Sequence, residues 1–235
     1  MKVRRTDGLV GNGLVLTAAL LYLCEFVGII GSNLHTMPGV PGDHSSLRAM
    51  YAGQTSATGF VVGWAGLVLP GRVLLVLGMR QALIASDSTG RLSAGWRTLL
   101  SWAVVLMGLG VAAELVESCV NAGTAAAAAS DSSDVVFALD RVAHYLLASV
   151  YGPSGTATAI VGVAMWRSGV FPRVLAALMA GLGAIGALNG ALLSGPATAP
   201  LQDGLTVINL LAFVVLLWLG ILVFRHRPTG TSATS

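Results

Sequence analysis

The chain has 235 residues, 55% of them hydrophobic and only 10% charged, with a mean hydropathy of +0.80 and a formal net charge of +3. A soluble domain carries about 25% charged residues, so a chain this apolar belongs in lipid. The basic sequence pI of 9.2 does not imply nucleic acid, because the Lys and Arg residues stand singly at the ends of apolar runs instead of forming a patch.

Met1 to Arg5 is basic and precedes the first apolar run, residues 9–31. That run is too long for the core of a secretory signal and no convincing cleavage site follows it, so it reads as a retained helix. Glu25 lies within it and nothing in the run compensates its charge. An ionised carboxylate at such a depth costs roughly 2.5 kcal/mol or more. Residues 32–56 form a polar, Gly/Pro-rich loop with His35 and His44. The second run is 57–77 and carries Trp64 and the sequence Pro70-Gly71-Arg72, where proline predicts a kink. The third is 99–120, with Glu114 and Glu117. A loop over 121–134 follows, with an alanine run at 125–129 and a Ser/Asp cluster that reads as the N-cap of the fourth helix. That fourth run is 135–165, interrupted at 152–155 by Gly-Pro-Ser-Gly. The fifth is 174–193 and the sixth 204–224. Residues 228–235 are low-complexity and read as a disordered tail, leaving 1–227 as a single membrane domain.

Lys2, Arg4, Arg5, Arg80, Arg91, Arg97, Arg167, Arg173, Arg225 and Arg227 fall on one side of a six-span arrangement. The other side holds Asp43, Asp131, Asp134 and Asp203, with Arg48 its one basic residue. By the positive-inside rule this predicts an all-α, six-helix transmembrane bundle in the plasma membrane with both termini cytoplasmic. Trp96, Trp166 and Trp218 read as interfacial anchors. The glycines suit close helix packing, with Gly186 and Gly190 serving either internal contact or a homodimer face.

With the helices oriented this way, Glu25, Trp64, Glu114, Glu117, Asp140, Arg141, His144, Tyr145, Asn189 and Asn209 share the outer part of the bundle. Glu114 and Glu117 are three apart and share a face. Asp140 and His144, like Arg141 and Tyr145, are four apart. A carboxylate beside an imidazole can fix its tautomer, and carboxylates crowded in low dielectric share protons. Arg72 sits deeper in this scheme, bridging up to a carboxylate or snorkelling with Arg80. Arg141 and Arg72 are the candidate counter-ions for Glu25. Cys24 and Cys119 read as two buried free thiols, with a disulfide between them the alternative, and have no metal-binding spacing. Gly11-Asn12-Gly13 lacks the third glycine and preceding strand of a dinucleotide motif, and no hydrolase, zinc-protease or P-loop motif occurs. No cofactor and no metal are expected.

Residues 165–175, Met-Trp-Arg-Ser-Gly-Val-Phe-Pro-Arg-Val-Leu, with Ala184-Ile185-Gly186 and Ala19-Leu20-Leu21-Tyr22-Leu23, resemble the signature of the DUF4386 family of bacterial membrane proteins. That resemblance implies a six-helix bundle and transfers no functional residue. Cys24-Glu25-Phe26-Val27 is similar to the surroundings of an acidic residue in small membrane-bound terpene cyclases, which implies a role for Glu25 as Brønsted acid. The leading expectation is therefore an intramembrane acid–base enzyme of the cyclase or isomerase type, acting on a lipophilic substrate. Glu25, Glu114, Asp140 and His144 would be catalytic. Phe26, Trp64, Glu117, Arg141, Tyr145, Asn189 and Asn209 would line the substrate site. A proton-coupled transporter and a non-catalytic accessory subunit are the alternatives. The expected partners are membrane lipids and the substrate, not nucleic acid.

Overall fold

The computed structural model describes residues 11–25, 44–53, 55–87, 90–130 and 133–192, with Val215, Trp218, Leu219, Ile221 and Leu222. Phe26, His35, Asn209, most of the sixth apolar run and the tail at 228–235 lie outside the described residues. The described residues form α1 (Gly11–Glu25), α2 (His44–Ala52), α3 (Thr55–Val68), α4 (Pro70–Ser86), α5 (Ala94–Ala129), α6 (Ser133–Ser168) and α7 (Arg173–Leu192), with no strand among them. Four helical stretches are long and apolar enough to cross a membrane: Val62–Ser86, α5, α6 and α7. The described residues are thus all-helical, and these four stretches are those expected of a membrane protein.

Several boundaries differ from those the sequence suggests, each for a local reason. Pro70 occupies the first turn of α4, where its missing N–H is tolerated. Leu69 stays right-handed helical, and the bonds from Leu69 N to Ala65 O and from Arg72 N to Leu69 O, both 3.0 Å, carry the ladder across the proline. The second span therefore continues to Ser86. The alanine run at 125–129 extends α5, as the best helix-forming residue should. Helix α5 ends where the Ser130 amide and hydroxyl both bond Ala127 O, at 3.1 and 2.9 Å. Pro153 does not break α6. Nearby, the Thr156 and Thr158 hydroxyls bond the Gly152 and Ser154 carbonyls of the preceding turn at 2.8 and 2.9 Å.

Small residues set the helix spacings. A Cβ on Gly162 would collide with the backbone of Ala180, and one on Gly183 with the backbone of Ala159. A Cβ on Gly190 would lie 2.6 Å from Gly152 N, so Gly186 and Gly190 are used for packing α7 on α6 within the chain. On the other side of the bundle, a Cβ on Gly78 would come within 2.8 Å of Gly11 O, and one on Gly71 within 2.7 Å of Leu21 Cβ. These approaches press α1 along α4 and bring the last described turn of α1 to the first turn of α4.

The structure has two storeys. The larger core includes Leu75, Met79, Leu83, Leu100, Met107, Val161, Met165, Leu175 and Leu219. At its lower end the α4–α5 and α6–α7 turns meet, since a Cβ on Gly169 would lie 2.7 Å from Arg91 Nη1. The Asp87 carboxylate ties the first of these turns by accepting from the amides of Arg91 and Leu92 at 2.8 and 3.0 Å. The Arg167 guanidinium lies 5.0 Å from the Trp96 ring centre and that of Arg173 5.9 Å from Trp166, so this end is basic and aromatic. Helices α5 and α6 each have 36 residues, about 54 Å at 1.5 Å per residue. A hydrocarbon core is about 30 Å thick, so their far ends project beyond it. There α2 packs on the α5–α6 hairpin through a second, smaller core of Tyr51, Ala125, Ala128 and Val136. Arg48 Nε donates to Ala128 O at 3.1 Å, satisfying a carbonyl of the last turn of α5.

The glycine contacts give a direct test. Gly162→Leu should lower stability by about 1–3 kcal/mol or more through overpacking, seen as a lower melting temperature and loss of monodispersity in detergent. Gly181→Leu, at a position with nothing within 4 Å of an added Cβ, should leave both unchanged.

Candidate functional site: a buried ion triad and its polar chain

Three helices place one charged side chain each at the same point. Glu25 is the last described residue of α1, Arg72 is in the first turn of α4, and Glu114 is in the middle of α5. The Arg72 fork grips Glu114 with both terminal nitrogens, the second bond at 3.0 Å, and Nη2 also bonds Glu25 Oε1. The side chains of Arg72, Glu25 and Glu114 are 14%, 6% and 20% exposed. Guanidinium suits this role because its planar donors can serve two carboxylates at once. The Tyr22 ring, one turn before Glu25, lies 5.3 Å below the guanidinium carbon. Tyr151 on α6 is within electrostatic reach of Glu114, Arg72 and Glu117. Two carboxylates against one guanidinium leave one negative charge over, and Glu25 Oε2 is buried without a hydrogen-bond partner among the described residues.

A polar chain leads from this triad to the cap. Glu117 is one turn above Glu114 and is 5% exposed. Asn121, one further turn along α5, donates through Nδ2 to Glu117 Oε1. The Tyr51 hydroxyl on α2 lies 3.4 Å from Asn121 Oδ1 and 3.1 Å from Asp140 Oδ1. Asp140 is fully buried on α6, and its other oxygen accepts from Arg141 Nη2 at 2.7 Å. Burial, and next the charge of Asp140, push the Tyr51 phenol well above its ordinary range, so it acts as a protonated donor.

The placement of the sequence-selected residues is uneven. Glu25, Glu114, Glu117, Asp140 and Arg141 come together along this line. Arg141 pairs with Asp140 rather than Glu25; the counter-ion of Glu25 is Arg72. Arg72 does not snorkel with Arg80, whose Nε bonds Ser101 Oγ at 3.1 Å. Trp64 lies beside the triad, with Nε1 donating to Cys24 O at 3.1 Å and its ring stacked on Phe60 at 5.7 Å. His144 meets the edge of Tyr145 at 5.8 Å, and Tyr145 is 61% exposed and points outward. Asn189 is buried at the α6–α7 side, next to Gly190, with its Oδ1 unpartnered among the described residues. Cys24 and Cys119 are free thiols, exposed rather than buried. Tyr22, Tyr51, Asn121 and Tyr151 enter the site unannounced. Two had a signal in spacing, since Tyr22 precedes Glu25 by three residues and Asn121 follows Glu117 by four.

No protein-family model, curated protein or solved structure matches the chain. The chemistry of the site therefore rests on its geometry. The arrangement can hold a proton or a cation against two carboxylates, and it is walled by aromatic rings.

Arg72→Met would strand two buried carboxylates and should cost about 3–5 kcal/mol. Arg72→Lys keeps the charge but not the fork, and should recover only part of that loss. Thermal unfolding in detergent measures both; wild-type stability for Arg72→Met would contradict the triad.

Proposed function

We propose that the chain is an intramembrane acid–base enzyme that isomerises or cyclises a lipophilic substrate at the Glu25–Arg72–Glu114 site. In this reading it is a plasma-membrane protein of six spans with both termini and the basic end in the cytoplasm. The α2 cap then lies on the outer side.

One observation carries the reading: the polar chain starts at the cap and ends at the triad. Below the triad no titratable residue occurs on α1 before Tyr22, on α4 between Arg72 and Arg80, or on α5 between Arg97 and Glu114. None occurs on α6 between Tyr151 and Arg167, or on α7 after Arg173. A proton-coupled transporter needs groups that hand a proton across the whole bilayer. A site reached from one side suits chemistry on a molecule that enters and leaves through lipid or the cap.

In this reading one proton offsets the unbalanced charge of the triad and sits on Glu25 Oε2, the carboxylate oxygen that bonds no other described group. In the proposed reaction Glu25 gives that proton to a carbon–carbon double bond. The Glu25 O–H bond breaks, a C–H bond forms, and a carbocation results. After rearrangement or ring closure the cation loses a proton to the Glu114 carboxylate, restoring a double bond. Substrate and product are isomers, and the triad keeps its proton count. Arg72 holds the two carboxylates in register. The faces of Tyr22 and Tyr151 shield the cation from water. The similarity of residues 24–27 to the terpene-cyclase surroundings agrees with an isoprenoid-like substrate.

Lipid extracts from cells expressing wild-type protein or Glu25→Gln should differ in one compound. The wild type should show an isomer of equal mass and altered chromatographic retention that the variant lacks, with the variant still folded by size exclusion. Identical extracts would contradict the reading.

A further inference from the structure

Among the described residues no titratable group lies between the triad with its Tyr22 and the basic end, and the titratable groups nearest the triad continue towards the cap. The residue best placed for proton traffic along that line is Glu117. It is on the same face of α5 as Glu114, one turn nearer the cap, where residues three apart bring their Cβ atoms to about 5–6 Å. Its burial leaves little contact with bulk water. Asn121 engages one of its carboxyl oxygens and leaves the other to carry a proton. Asn121 in turn is met by Tyr51 from α2, and Tyr51 is anchored on Asp140, whose second oxygen is held by Arg141. At the far end of the line, Glu25 Oε2 is buried with no partner among the described residues.

We propose that Glu117 is the proton-transfer residue between the cap and the Glu25–Arg72–Glu114 site, held in position by an Asn121–Tyr51–Asp140 clamp that spans α5, α2 and α6. The inference rests on the acid–base reading for its purpose, but not for its test. The step is a plain exchange: the O–H bond of the Glu117 carboxylic acid breaks, one forms on the Glu114 carboxylate, and water at the cap returns a proton to Glu117. Glu117 meets Asn121 and Glu114 on its own helix and is within electrostatic reach of Tyr51 on α2 and Tyr151 on α6. Arg72 on α4 and Glu25 on α1 lie beyond Glu114. An amide cannot pass a proton on, so Asn121 is a positioning residue, as is Tyr51 with its strongly held hydroxyl proton.

Infrared spectroscopy of the full chain reconstituted in phosphatidylcholine vesicles tests this without a substrate. The carboxylic C=O band of the protonated triad should shift on transfer to deuterium oxide. Glu117→Gln should slow that shift by about tenfold or more, in line with the loss of a positioned acid–base group. Glu117→Asp should recover part of the rate. Tyr51→Phe and Asn121→Ala should slow it by a smaller factor, which a purely structural role would not do in a protein of unchanged fold; they also serve if Glu117→Gln does not fold. Exchange at the wild-type rate in Glu117→Gln, or no exchangeable carboxylic band in the wild type, would overturn the proposal. Glu117-dependent exchange without any isomeric lipid product would retire the enzyme reading and keep the relay. An isomeric product with Glu117-independent exchange would do the reverse.

Discussion

One guanidinium holding two buried carboxylates is the constraint on which the rest of the structure depends. Arg72, Glu25 and Glu114 come from three different helices, and none of the three would be tolerated at that depth alone. The pairing therefore dictates how those helices meet. The close approaches at Gly11, Gly71 and Gly78 let α1 lie against α4, and Pro70 at the start of α4 sets Arg72 in its first turn. Trp64 adds a bond to Cys24 O, closing α3 onto α1 beside Glu25. Apolar packing alone would let α1 slide or rotate along α4, because lipid and leucine are nearly equivalent partners in a bilayer. The ion triad selects one register.

The second organising fact is length. Two 36-residue helices outrun the bilayer, and their projecting ends with α2 make a small separate core. The polar chain occupies the junction between the two cores. Its members are satisfied in sequence, Arg141 by Asp140, Asp140 by Tyr51, Glu117 by Asn121, so that burial there does not leave a row of orphaned charges. This junction is where a lipophilic molecule could meet charged groups without crossing the apolar half of the bundle.

Much of this is legible in the sequence, and the failures have physical causes. Charge asymmetry and span length put Glu25, Glu114, Glu117 and Asp140 at one level, and the structure brings them into one line. Arg72 reads as near the inner end of its span because that span is taken to end at residue 77, whereas the helix continues to Ser86. The alanine run and Pro153 read as a loop and a break, but helix propensity extends α5, and α6 continues through Pro153 where Gly155 and Gly190 pack it closely against α7. Tyr51 is invisible to any local pattern, since its partners are 70 and 89 residues away. Arg141 is plausible as the partner of Glu25 until helix packing shows the nearer Asp140, its own neighbour in sequence, to be the acid it meets.

The central claim is that charge enters this bundle from the cap and stops at the triad. Side-specific labelling tests it most directly. In a background with Cys24 and Cys119 replaced by serine, single cysteines at Asn121, Met107 and Met79 are exposed to a membrane-impermeant maleimide added to either face of sealed vesicles. Reaction is predicted at position 121 from the cap face alone, and none at 107 or 79 from either face. Labelling at 107 or 79 from the basic face would reveal a path through the lower half and contradict it.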